Sequence, residues 1–63
     1  MNLAAYCENI LMPTLDMLLD MCECGDIRFE DAQRIGYSMC SIDSLELIYD
    51  SFDIELEKIK RKG

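Results

Sequence analysis

Histidine and tryptophan are absent from this 63-residue chain, proline occurs once, glycine three times, and only six side chains are basic. Without histidine there is no side chain of ordinary pKa near neutrality, and no His-dependent serine or cysteine triad can be assembled. The chain is too short to enclose a sizeable substrate, and no P-loop, dinucleotide-binding or EF-hand pattern is present. Paired carboxylates such as Glu30 with Asp31, or Asp50 with Asp53, fall at spacings any acidic helix produces by chance. The expectation is a protein that is not an enzyme and needs no cofactor. No apolar run reaches the ~18 residues a membrane span requires, and Asp16 and Asp20 interrupt the best candidate. Met1-Asn2-Leu3-Ala4 lacks the basic start of a secretory signal, so a cytoplasmic, reducing setting is expected.

What is abundant is apolar and acidic. A composition 51% hydrophobic, with so little glycine and proline, argues for one packed helical domain over residues 1–63. At this size a single core stabilises a fold only marginally, so oligomerisation or another supplement is expected. Thirteen acidic residues leave a formal charge of −7, and four of the six basic ones, Lys58, Lys60, Arg61 and Lys62, crowd the last turns. Everything before Lys58 is therefore strongly acidic. Such a body repels free nucleic acid and anionic membrane and attracts a basic protein surface, while also keeping a hydrophobic mini-domain in solution.

Helical periodicity organises the chain. Over Leu3 to Cys22 the polar positions Asn2, Asn9, Asp16 and Glu23 recur every seven residues, with Pro13 and Asp20 beside them. The phase survives the proline, which predicts one long helix kinked at Pro13 with the proline facing solvent. The remaining girth is apolar and too wide for a single neighbour, so self-association through this helix is expected, a dimer being the commonest closed form. Glu23 to Asp26 reads as a turn with Gly25 in the left-handed position, followed by Ile27 tucked onto the core. A second helix is predicted from Phe29 to Cys40 with Phe29, Ala32, Ile35, Gly36, Met39 and Cys40 inward, and Gly36 in close approach to the first helix.

The apolar stripe then rotates by nearly half a turn, which breaks the chain at Ser41-Ile42-Asp43. Ser41 or Asp43 is the expected N-cap, with Glu46 completing a capping box. The third helix carries Leu45, Ile48, Tyr49, Phe52, Leu56 and Ile59 inward, and its basic end and Gly63 suit a helix terminus. The predicted architecture is all-α: a small three-helix bundle with a long kinked first helix, a shorter second and an amphipathic acidic third, completed by dimerisation.

Four cysteines raise the question of a zinc-stabilised domain. Cys7 and Cys22 lie fifteen residues apart on one predicted helix, roughly 22 Å at 1.5 Å per residue, so they cannot share an ion. Cys22 and Cys24 alone make a weak metal signal, and no metal site is assigned. Cys7, Cys22 and Cys40 read as small hydrophobes, and Cys24, in the turn, as the thiol whose exposure would permit reaction.

The feature furthest above background is on the third helix. Glu46, Asp50, Asp53 and Glu57 form one acidic row, extended by Asp43, with no basic residue interleaved before Lys58. Like charges one turn apart cost a few tenths of a kcal/mol each, up to about 0.5. A row of carboxylates suits a basic groove built for a phosphate backbone; a solvated helix face is the plain alternative. Leu47 and Ile54, seven apart and turned from the core, resemble an apolar interface centre inside a charged rim, or else two exposed side chains. A DNA-binding helix-turn-helix is excluded because its recognition helix would carry aspartate and glutamate where arginine, lysine, asparagine or glutamine must face bases and phosphates.

In size and charge the chain resembles the small acidic inhibitors that phages and mobile elements direct against host nucleases, CRISPR complexes or transcription machinery. That resemblance implies a non-catalytic interaction module acting in the host cytoplasm on a basic, nucleic-acid-handling protein. Asp43, Glu46, Asp50, Asp53 and Glu57, with Leu47 and Ile54, are the expected docking residues. The rival reading is a small helical chaperone or assembly subunit that binds a partner through methionine-rich apolar surface.

Overall fold

In the computed structural model, which describes residues 2–62, the chain forms three helices and no strand among those residues. The first, α1, is continuous over residues 3–24: an α-helical start at Leu3–Tyr6, a π-turn at Cys7–Leu11, and an α-helix at Met12–Cys24. Asn2 caps it, its side-chain oxygen accepting from the Ala5 N–H at 2.8 Å. The disturbance expected as a kink at Pro13 is taken up as the π-turn, in which the Met12 N–H donates to the Cys7 carbonyl. A proline has no N–H and its ring crowds the carbonyl four residues back; widening the preceding turn relieves that conflict while the helix continues. Pro13 itself faces solvent, as its phase required.

The end of α1 lies at Cys24, two residues beyond the expected Cys22, so Cys24 closes the helix rather than sitting in the turn. Gly25 follows at φ 83°. Its N–H donates to the Cys22 carbonyl at 3.2 Å and the Asp26 N–H to the Met21 carbonyl at 2.8 Å, the paired bonds of a Schellman motif. Ile27 then folds back onto the core.

The second helix, α2, spans Phe29–Met39, with Glu30 and Asp31 in its first turn where they complement the helix dipole. Asp31 also meets Arg34 at 3.0 Å and Arg28 at 3.6 Å, exposed pairs that add little stability. The third, α3, opens with a 3₁₀ turn at Asp43–Leu45 and runs on as an α-helix over Glu46–Lys62. The expected cap is corrected here. Ile42, in extended conformation, precedes the 3₁₀ turn, no side chain caps it, and the Leu45 N–H donates to the Ile42 carbonyl at 2.9 Å. The tighter turn satisfies its own backbone, so neither Ser41 nor Asp43 is needed as a cap and no capping box with Glu46 forms. Gly63, read as a helix end, lies outside the described residues.

One core joins the three helices: Leu11, Leu15 and Leu18 from α1, Ala32 from α2, Cys40, and Leu45, Phe52 and Leu56 from α3. Contacts fix how the elements run. Tyr6 near the start of α1 donates its hydroxyl to the Met39 carbonyl at the end of α2, at 2.9 Å. Lys60 near the end of α3 lies over the Phe29 ring at the start of α2, 4.5 Å from its centre. Each of α1 and α3 is therefore antiparallel to α2.

Two inward assignments on α2 change. Gly36 is buried, but against α3, not α1: a Cβ built there would fall 2.8 Å from Cδ2 of the Phe52 ring and closer still to Cε2. Ile35 remains 37% exposed, because Ala32 and Gly36 let α3 approach along their own line and Ile35 stands at its margin. On α1 the apolar girth is only partly covered, with Leu3, Ile10, Met12 and Met17 exposed. No helix among the described residues is long and apolar enough to cross a membrane.

Candidate interaction surfaces on the third helix

Burial of Leu45, Phe52 and Leu56 fixes the rotation of α3 and thereby the direction of every other side chain on it. The acidic row divides into two parts. Asp43, Glu46 and Asp50 are exposed and line a notch of about 360 Å³ at the junction of α2 and α3, whose other walls include Tyr37, Tyr49, Cys40 and Ile42. Asp53 is half-buried and accepts a hydrogen bond from the Gln33 amide of α2 at 3.0 Å. It therefore also ties the two helices together. Glu57, one turn further on, is half-buried.

Among the described residues, the ion pairs are those of Asp31 with Arg28 and Arg34 and of Glu55 with Lys58, so none of the three notch carboxylates is paired. Asp43 and Glu46 stand in the opening turns of α3, where the helix dipole favours a carboxylate, and Asp50 lies beyond that turn. The notch also has an aromatic wall. Tyr37 stands 66% exposed with its ring edge-on to Tyr49, centres 5.4 Å apart at 87°. Tyr49 in turn tilts over Phe52 at 6.3 Å and is thereby anchored to the core. Burial, reinforced by the Asp53 carboxylate, pushes the Tyr49 phenol above its ordinary pKa.

Tyr37 and Tyr49 were not among the sequence-predicted docking residues. Tyr49 fell on the core stripe, where half of it belongs, and Tyr37 fell on no stripe. Three tyrosines and no tryptophan in the chain were the available signal, since an exposed tyrosine is an interface residue by preference.

Leu47 and Ile54 point away from the core, 78% and 57% exposed. Leu47 also borders a second concavity, an apolar groove of about 370 Å³ between α1 and α3 lined by Met12, Leu15, Leu19, Ile48 and Phe52, with Asp16 and Glu55 also on its lining.

The cysteines are dispersed: Cys24 is exposed, Cys7 and Cys22 half-buried, and Cys40 buried. Burial, with Cys7 nearby, pushes the Cys40 thiol above its ordinary pKa. No group of three or more cysteine, aspartate or glutamate side chains among the described residues is placed to hold a metal ion. No protein-family model, curated protein or solved structure matches the chain.

Proposed function

We propose that this chain is a non-catalytic interaction module that inhibits or regulates a nucleic-acid-handling protein by docking its acidic third helix on that protein's basic surface. The observation that supports the reading is the notch, where unpaired Asp43, Glu46 and Asp50 share one concavity with Tyr37 and Tyr49. An arginine side chain suits this arrangement: its planar guanidinium stacks on a tyrosine face while its N–H groups donate to carboxylates. Asp53 and Glu57 continue the acidic row, and Leu47 and Ile54 flank it with apolar area. Carboxylates held in this way compete with phosphates for the same cations, which is how such a module would displace nucleic acid from its partner. The targets this reading proposes, by analogy of size and charge with phage-encoded inhibitors, are host nucleases, CRISPR complexes or transcription machinery in the cytoplasm.

Capture from a cell extract with three baits tests this. The wild type and the Asp16→Lys, Asp20→Lys variant are expected to retain the same basic protein, whereas Glu46→Lys with Asp50→Lys loses it, although both variants change the net charge equally. Equal retention by all three baits, or equal loss from both variants, would overturn the assignment to α3. The groove between α1 and α3 favours a second reading, an assembly subunit that seats a partner's apolar side chain over Leu15 and Phe52. Salt separates the two, since docking on carboxylates weakens as ionic strength rises and apolar docking does not.

A further inference from the structure

We infer that the groove between α1 and α3 seats a basic amphipathic helix of a partner protein. This names the occupant for the second reading above, rests on that reading, and is independent of the notch. Because α1 and α3 are both antiparallel to α2 they point the same way, which makes the groove a trough between two parallel rods. Met12, Leu15 and Leu19 line one side, and Leu47, Ile48 and Phe52 the other. From Met12 to Leu19, and from Leu47 to Glu55, the lining runs for about two turns, roughly 10 to 12 Å.

Shape selects a helix. A helix laid in a trough presents anchors at i, i+3 or i+4, and i+7, which covers the same two turns. Leu15 and Phe52 form a buried floor, whereas Met12 and Leu47 stand 46% and 78% exposed on the banks. A partner helix covers both banks and becomes the fourth member of a bundle.

Charge selects its sign. The charged side chains on the lining, Asp16 and Glu55, are both carboxylates. The α1 bank is acidic throughout, because residues 3–24 hold Glu8, Asp16, Asp20 and Glu23 and no basic side chain. On α3, Asp43, Glu46 and Asp50 line the notch instead, Asp53 is bonded to Gln33 of α2, and Lys60 lies over Phe29, with Glu57 between those two in phase. Lys58 meets Glu55 at 3.4 Å in an exposed pair, and Arg61 and Lys62 follow it at the helix end. The far end of the α3 bank is therefore basic, and the occupant's own basic residues belong along the α1 bank beside Asp16. The α1 of a second copy would set carboxylates against carboxylates there and does not fit.

The test titrates a synthetic helical peptide of about 18 residues, with leucines at i, i+4 and i+7 on an alanine and lysine background, into the isotope-labelled whole chain. Saturable amide shifts are expected below about 1 mM at Met12, Asp16, Leu19, Ile48 and Ser51. Peptides with glutamate in place of lysine, or alanine in place of leucine, should bind about tenfold more weakly or worse. Leu47→Asp should weaken binding although it makes the chain more acidic. Asp16→Lys should weaken it more than Glu46→Lys with Asp50→Lys, which removes more negative charge but lies on the notch. Equal binding of the glutamate peptide, or equal loss from Asp16→Lys and the notch pair, would overturn the inference and leave the apolar groove reading standing. No saturation by any peptide, or no effect of Leu47→Asp, would overturn both. Shifts at Tyr37 and Tyr49 in place of the groove would move the peptide to the notch, and groove shifts that grow with protein concentration alone would make a second copy the occupant; either outcome overturns the inference.

Discussion

Gly36 of α2 lies so close to the Phe52 ring of α3 that no other residue fits there without displacing the ring. Phe52 is itself buried and bears on Tyr49, so the ring cannot swing freely aside. The hydrogen atom of Gly36 sets the α2–α3 distance and, through it, the width of the notch.

Gly36→Ala sets two effects in opposition. Alanine favours a helix interior by about 1 kcal/mol, whereas overpacking a filled core costs about 1 to 3 kcal/mol. The overlap with an anchored ring makes the second dominate, so a net loss of stability is expected in urea unfolding. Phe52→Leu in the same chain should recover part of it, a coupling that a double-mutant cycle reads directly.

Gly25→Ala meets a different constraint. No atom lies within 4 Å of the added Cβ, but the backbone is held at φ 83°. The cost is conformational, about 1 to 2 kcal/mol. Gly25→Asn should lose less, because asparagine tolerates the left-handed region, whereas Gly36→Asn should be at least as damaging as Gly36→Ala.

Tyr6→Phe removes the side-chain hydrogen bond that, among the described residues, ties the start of α1 to the end of α2. A loss of about 0.5 to 1.5 kcal/mol is expected from the unfolding midpoint. A variant as stable as the wild type would mean that water replaces the tyrosine hydroxyl at the Met39 carbonyl at no cost.

The thiols should separate by exposure. Alkylation of the native protein is expected to modify Cys24 first and buried Cys40 last, followed by mass spectrometry of the labelled peptides. Because the pKa of Cys40 is raised in the folded state, folding favours its protonated form. That stabilisation is complete below the ordinary thiol pKa and is lost as pH rises through the folded value, so stability should fall on the alkaline side. Cys40→Ala should flatten that part of the profile, leaving the share due to Tyr49, which is shifted in the same direction.

Much of the fold was legible as phase. A run with the spacing of Leu45, Phe52 and Leu56 can bury only one face of a helix, and that face is the one buried. Pro13 held its solvent-facing place for the same reason. Phase does not say which neighbour covers a face, and so Gly36 was paired with α1 although Phe52 of α3 covers it. Nor does it show how a backbone conflict is resolved, and the π-turn before Pro13 and the 3₁₀ turn after Ile42 both lay beyond it. At the site, the acidic row was legible as spacing, but its division was not. Asp53 is bound by Gln33, twenty residues away, and the notch exists only because the end of α2 sets Tyr37 beside Tyr49.

The central claim, that the notch of Asp43, Glu46 and Asp50 receives a basic side chain, is tested most directly by titrating a short arginine-rich peptide into isotope-labelled protein and following amide and tyrosine resonances by NMR. Saturable shifts are expected at Tyr37, Glu46, Tyr49 and Asp50, weakening as salt is raised and absent from the Glu46→Lys, Asp50→Lys variant. Shifts spread equally over Asp16, Asp20 and the notch, or confined to Met12 and Leu19 in the groove, would contradict it.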